Sequence, residues 1–344
     1  MKKIVITSLL SVFFLTACTD DETVDPVAET GMYENGIFVV NEGSFGAEEG
    51  SVTFVDEDLQ NAQNKIYATA NPTSEFGLGS VLQSMFFYGE NAYLISNGSN
   101  LISIVDRNTF EFVGEIIGGL NAPRYGVVAD GKAFVTNQAS WQTSDDDFIA
   151  VIDLETLEVE KTIDTHAPVE YILEENGKIY VQNASFSMGN QVSVIDPESA
   201  IITQTVSVGE GLNSIEIQNN TLYALVNSGI KTIALSTMEV SNLIDFSVNN
   251  GFSNMKVRGN KIYYTSGNAV FSLEIDQPEN PAVSLIENPN IAVLYGFAVK
   301  NDQIYIADAK DFSSNGRIFV YDISGNLVRE IPVGVAPNGF YFNN

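Results

Sequence analysis

The apolar and polar positions of this chain follow one pattern that is repeated six times in succession. Each copy is an apolar strand, a turn, an aromatic-bearing strand ending in a small polar residue, a strand ending in Asp, and one more strand. The pattern is clearest in Tyr125–Ile163, where "YGVVADGKAFVTN" leads to "FIAVID" and "EVEKTI". It returns after Tyr171 as "YILEENGKIYVQN", "QVSVID" and "IITQTVSV". Strands are read here from period-two patterning and from turn chemistry. Asp130-Gly131, Asn176-Gly177, Asn219-Asn220, Gly259-Asn260 and Asn301-Asp302 separate first from second strands. Residues of these types accept positive φ at low cost and suit tight hairpins. An aromatic follows each turn, namely Phe134, Tyr180, Tyr223, Tyr263 and Tyr305, with Tyr93 in the same place in the first copy.

The copies span roughly 78–120, 121–166, 167–210, 211–250, 251–290 and 291–334, a period of about 40–46 residues, which is the range of four-stranded propeller blades. The ends supply a seventh. Gly36–Asn41 reads as a second strand with no first strand before it, and 336–342 reads as a first strand with no second after it. The expected fold is all-β: a seven-bladed β-propeller over 36–344, with one blade closed by the N- and C-terminal strands. Closure removes the exposed sheet edge that invites aggregation. The closing Asp of the third strands (Asp56, Asp106, Asp153, Asp196, Asp322) is suited to accept backbone N–H bonds in the next turn. Its repetition marks turn building rather than catalysis. A single Trp and no Trp-Asp dipeptide separate the chain from WD40-type arrays.

In a propeller the loops from strand two to three, and from strand four to the next strand one, share a face. The second strands end at Asn41, Ser96, Asn137, Asn183, Asn227, Ser266 and Asp308. The first strands begin at Gln83, Arg124, Glu170, Asn213, Ser253, Tyr295 and Asn338, polar in every blade and different in most. Such a ring either reads an unsymmetrical ligand or lines a water-filled funnel. Four loops after strand two are long and carry one large aromatic each, at Phe45, Trp141, Phe186 and Phe312. Phe76, Tyr125, Tyr171, Phe252 and Phe340 lie in or beside the other loop set. Aromatics on polar loops are a common signature of a binding surface. The expected ligand-binding set is Phe45, Gln83, Arg124, Tyr125, Trp141, Glu170, Tyr171, Phe186, Asn213, Phe252, Tyr295, Phe312 and Asn338.

Charge and cysteine content narrow the classes of function. The net charge is −28, from 16 basic and 44 acidic residues, so a phosphate backbone would be repelled and nucleic acid is not an expected partner. Cys18 is the only cysteine, which excludes intrachain disulfides and Cys-based metal sites. His166 is the only histidine, which excludes His-ring copper or iron centres and most His general-base schemes. No nucleophile–base motif and no phosphate-cradling glycine loop is present. The expectation is a protein that is not an enzyme and needs no cofactor or metal. Asp145-Asp146-Asp147 could offer hard oxygen ligands to calcium or form a solvated acidic tip; the run lacks the spacing of a calcium loop. His166 reads as a surface residue in a face loop.

The N-terminus carries a targeting signal. Lys2 and Lys3 precede an apolar run, Ile4 to Leu15, too short to span a bilayer as a mature anchor. Leu15-Thr16-Ala17-Cys18 resembles a bacterial lipobox, in which the Cys is lipidated after cleavage. The expected organisation is a signal peptide over 1–17, a lipidated acidic tether over 18–35, and the propeller over 36–344. The diacyl chains at Cys18 would hold the protein on a membrane without a spanning helix. The acidic cluster Asp20-Asp21-Glu22 resembles the export signal of Bacteroidota-type surface lipoproteins, implying the extracellular face of the outer membrane.

The whole mature chain resembles the YncE-like, seven-bladed propeller lipoproteins of the cell surface. Its opening, "GIFVVNEGSFGAEEGSVTFVD" (Gly36–Asp56), is similar to the first blade of the surface cobalamin-binding lipoproteins. Those proteins share the Asn-Glu-Gly (here Asn41-Glu42-Gly43), the aromatic-Gly pair (Phe45-Gly46) and the serine-led strand (Ser51). The resemblance implies a binder of a corrinoid (vitamin B12) or another large nutrient, partnered by a TonB-dependent outer-membrane transporter. The alternative class is a non-catalytic propeller whose face binds a protein or a glycan.

Overall fold

The computed structural model describes residues 31–46, 49–140, 142–186, 188–246 and 251–343. Among these, the strands form seven four-stranded antiparallel sheets, the propeller expected from the repeat. Blade one is the composite: Pro337–Asn343 innermost, then Gly36–Asn41, Ser51–Asp56 and the two-residue Ala62–Gln63. Blades two to seven follow in chain order, their inner strands being Leu82–Tyr88, Pro123–Ala129, Ile172–Glu175, Ser214–Gln218, Phe252–Arg258 and Leu294–Lys300. Each inner strand touches the next, and Leu294–Lys300 meets Pro337–Asn343, so the ring closes.

The second and third strands are apolar on both faces because both are covered by a neighbouring blade. Lys132–Asn137 and Phe148–Asp153 are buried through their centres, whereas the outer strand Glu158–Asp164 is largely exposed. Seven apolar layers result, one between each pair of neighbouring blades. The repeated aromatics Tyr93, Phe134, Tyr180, Tyr223, Tyr263 and Tyr305 are all buried, and each such ring contributes about 1.5–3 kcal/mol over an exposed one. The hairpins take the expected turn: Asp130, Asn176, Asn219, Asn301 and their successors have positive φ, while at Gly259-Asn260 only the glycine does.

The closing Asp residues build turns as expected. Asp106 accepts from the N–H groups of Asn108 and Thr109, Asp153 from those of Glu155 and Thr156, and Asp322 from those of Ser324 and Asn326. Two features are not visible in the repeat. Ile66–Ala70 forms a short helix beside blade one, burying Ile66 and Tyr67. Residues 31–35, read from the sequence as the end of the tether, are seated on the propeller: Tyr33 is buried edge-on against Phe54 and Phe110, and its N–H donates to the Asn108 carbonyl. No helix among the described residues is long and apolar enough to cross a membrane. Cys18 and the other residues read as a signal peptide and lipobox lie outside the described residues.

Candidate functional site

Three of the small polar residues expected at the ends of the second strands, Asn41, Asn137 and Asp308, are braces. Asn41 is fully buried, and its Nδ2 donates to the Val39 and Ser51 carbonyls and to Thr53 Oγ1. Asn137 Nδ2 donates to the Val135 carbonyl while its Oδ1 accepts from the Asn121 N–H. Asp308 Oδ1 accepts from the N–H groups of Ala292, Val293 and Lys310, and its Oδ2 pairs with Arg317 at 3.1 Å. A short polar side chain at this place satisfies loop backbone that no sheet partner reaches. These residues hold the face loops rather than reading a ligand.

The ring of first-strand starts is brought together in part. Arg124 reaches across to blade four: Nη2 lies 2.6 Å from Glu170 Oε1, Nε lies 3.2 Å from the same oxygen, and Nη1 donates back to Gln83 Oε1. Gln138 Nε2 donates to Glu170 Oε2 at 2.7 Å. Gln83 Nε2 donates to the Tyr125 hydroxyl at 3.3 Å, and the Tyr125 and Tyr171 rings stand 4.4 Å apart. Burial pulls the Arg124 guanidinium down, but the Glu170 carboxylate outweighs it and holds the group above its usual range. A charge pair this dry persists because hydrogen bonds from Gln83 and Gln138 support it on both sides.

A second knot joins blades seven, one and two. Glu42 Oε1 accepts from the Tyr295 hydroxyl and from Asn338 Nδ2, both at 2.9 Å. Asn338 Nδ2 also donates to the Leu82 and Gln83 carbonyls, while its buried Oδ1 has no partner among the described residues. Burial raises the Glu42 carboxyl, against the two hydrogen bonds and the Arg124 charge. Burial and the Glu42 charge also raise the Tyr295 phenol, which therefore stays a donor. Glu42 belongs to the Asn-Glu-Gly of the opening blade but was not in the expected set; its position one residue after a strand-two end was the available signal.

Asn213 and Phe252 are placed apart from these knots. Asn213 Oδ1 accepts from the Asn254 N–H, and Phe252 packs against Phe246, Tyr264 and Phe271. The inner strands enclose a cavity of about 90 Å³, lined by Tyr171, Glu216, Lys256, Tyr295 and Asn338 among others. Lys256 donates to Glu216 there, a pair the sequence reading missed because both lie mid-strand.

The loop aromatics divide. Phe45 is 89% exposed and Phe186 65%. Phe312 is partly exposed and meets Tyr295 edge-on at 5.0 Å. Phe76 stacks on Phe112 of an outer strand and Phe340 packs on Tyr305, so both are packing residues. Trp141 lies outside the described residues.

The loops of blades three and four enclose a pocket of about 250 Å³. Asp147 lines it, buried to 3% exposure. Its Oδ2 accepts from the Val169 N–H at 3.2 Å and its Oδ1 has no partner among the described residues. Burial raises its pKa to about 7, with Asp146 and Glu170 adding to the rise against the Val169 bond. The acidic run is therefore divided: Asp145 and Asp146 are exposed, Asp147 turns inward. Among the described residues no group of three His, Cys, Asp or Glu could hold a metal ion. His166 is exposed, its Nδ1 3.3 Å from the Asp145 carbonyl.

No curated protein matches the chain. Solved structures do. A quinonprotein alcohol dehydrogenase-like protein from Bacteroides thetaiotaomicron is 15% identical over 92% of this chain and 80% of its own, with a TM-score of 0.67. A functionally unknown protein from Desulfotomaculum acetoxidans is 14% identical over 90% of this chain and 98% of its own, also at 0.67. Hydrazine synthase from Kuenenia stuttgartiensis is 18% identical over 73% of this chain and 86% of its own, at 0.58. At such identities the likeness shows the fold alone. The sequence profile described as "Domain of unknown function (DUF5074)" matches residues 35–343, and the chain belongs to this DUF5074 family.

Proposed function

We propose that the protein is a non-catalytic binding module, anchored through a lipid on Cys18 at the extracellular face of the outer membrane. On this reading it captures a large nutrient and hands it to a TonB-dependent transporter. The observation that carries the binding role is the company the polar knots keep. Phe45, Phe186 and Phe312 stand exposed on the loops around them, and exposed aromatics grouped on one face mark a contact surface. The knots themselves are committed to internal pairs, Arg124 to Glu170 and Tyr295 to Glu42. Groups so engaged suit holding a shape more than transferring protons. Asn338 Oδ1, without a partner among the described residues, is an acceptor that a ligand N–H would satisfy.

The finer assignment, a corrinoid, rests on the resemblance of Gly36–Asp56. Such a ligand presents a broad flat ring, fringed by carboxamides that suit aromatic walls and amide acceptors. Calorimetric titration of residues 31–344 with cyanocobalamin tests it. One-to-one binding, weakened about tenfold or more by Phe312→Ala or Phe45→Ala, is the expected result. These side chains are exposed, so their loss leaves the ring intact. Absence of binding at high ligand concentration would sink the corrinoid assignment. It would leave a protein- or glycan-binding face, the reading that the very open Phe45 favours.

A further inference from the structure

We propose that the pocket between the long loops of blades three and four binds the ammonium group of a small organic amine, with Asp147 as counter-ion. The inference goes beyond nutrient capture and needs no assumption about a corrinoid. It starts from Asp147, whose position is over-determined. Its carbonyl accepts from the Thr165 hydroxyl at 2.8 Å and from the Thr165 N–H at 3.1 Å, and its Oδ2 accepts from Val169. The carboxylate is thus held in the pocket wall with Oδ1 buried and, among the described residues, without a donor. An orphaned acceptor costs the desolvation of that atom, and a donor arriving from a ligand recovers it.

The surroundings choose the donor. Asp146 and Glu170 add negative potential at Asp147. Asp145 lies two residues away, and His166 lies beside the Asp145 carbonyl. Arg124, the nearest guanidinium to Glu170, is engaged by that carboxylate. Among the described residues no Lys or Arg lines the pocket. A cation is therefore attracted and an anion repelled, and a charge-assisted bond to a carboxylate is about twice as strong as a neutral one. A single carboxylate among amides and hydroxyls, such as Gln138, Thr143 and Ser185, does not make a cage for a metal ion, which takes several oxygens. It does match one –NH3⁺ with three donors. The opposite wall is Phe186 and Met188, 65% and 64% exposed. It would cover an apolar arm on the amine.

Benzylamine supplies both parts and is the probe, with benzyl alcohol as its neutral counterpart. Binding of each to the full-length protein is followed by ligand-observed NMR or calorimetry. Benzylamine is expected to bind about tenfold or more tightly than the alcohol. Its affinity should fall about tenfold from pH 8 to pH 6, because the proton and the ammonium compete for one carboxylate. Asp147→Asn should abolish binding, and Phe186→Ala, a surface change, should weaken it while leaving the fold unaltered. Equal binding of the alcohol, an affinity independent of pH, or a folded Asp147→Asn variant that still binds would each overturn the proposal. Should that variant fail to fold, the pH series on the unaltered protein decides.

Discussion

One residue type is used in two opposite ways here, and the environment sets which. At the ends of third strands, Asp carboxylates sit in the open and accept several N–H bonds. Backbone bonds from Thr156 and Glu155 hold Asp153 below its ordinary value, and Lys178 and Ser199 bring Asp196 to about 2. Asp147 is the reverse: burial, with Asp146 and Glu170 nearby, lifts it to about 7. Its folded value lies above the unfolded one, so the native state binds the extra proton. Its contribution to stability is fully present below the unfolded value and is lost as pH rises through about 7. Asp147→Asn keeps an oxygen for the Val169 N–H and removes the charge. The variant should be more stable than the parent at pH 8, by on the order of 1–2 kcal/mol. At pH 5 the gain should be smaller, and it should vanish only below the unfolded value. Urea unfolding at both pH values checks it, and an equal difference at both would show that the charge is not the cause.

At the level of elements, hairpins carry the repeat, and their backbone is the part the sequence states most directly. Asn301 and Asp302 stand at φ 49° and 57°, as a turn matched to the right-handed strand twist requires. Asn301→Val places a β-branched side chain in that region and should cost about 1–2 kcal/mol. Asn301→Gly should come close to neutral. Urea midpoints separate the two, and equal costs would mean that the left-handed backbone is not what the turn demands. Second and third strands were legible for a related reason: covered on both faces, they read as unbroken apolar runs such as "AFV" and "FIAVI". The outermost elements were not. Ala62–Gln63 and Ile286–Glu287 pair over two residues each, too short for any period, and Ile66–Ala70 is barely a helical turn. The site was half legible. Register places Gln83, Arg124, Glu170, Tyr295 and Asn338 at the funnel. Which of them pair depends on how blades are rotated against one another, and no single blade's sequence carries that. Asp147 was hidden by its neighbours, because three adjacent Asp read as a solvated tip.

At the scale of the whole molecule, stability is shared between layers that exist only because the ring is closed. The composite blade is the closure. Gly36–Asn41 pairs on one side with Ser51–Asp56 and on the other with Pro337–Asn343. Phe340 and Phe342 pack on Tyr305 of blade seven, and Tyr341 packs toward the layer shared with blade two. Asn343 ties the last strand to the segment before Gly36 and to blade two: Nδ2 donates to the Tyr33 carbonyl at 2.8 Å and to the Arg107 carbonyl at 3.0 Å. Deleting 337–344 would uncover two apolar layers at once and leave Gly36–Asn41 as an open edge, the arrangement that templates aggregation. The expected outcome is a chain that elutes as aggregate or loses its cooperative unfolding. Removal of an ordinary tail of equal length would do neither. Because the missing piece is a single strand, a synthetic peptide spanning 336–344 should restore part of the soluble, β-rich protein in trans by strand addition. A truncated chain that stays monomeric with an unchanged unfolding midpoint would show that six blades and half of a seventh hold without the closure. The seven layers would then be independent rather than mutually supporting.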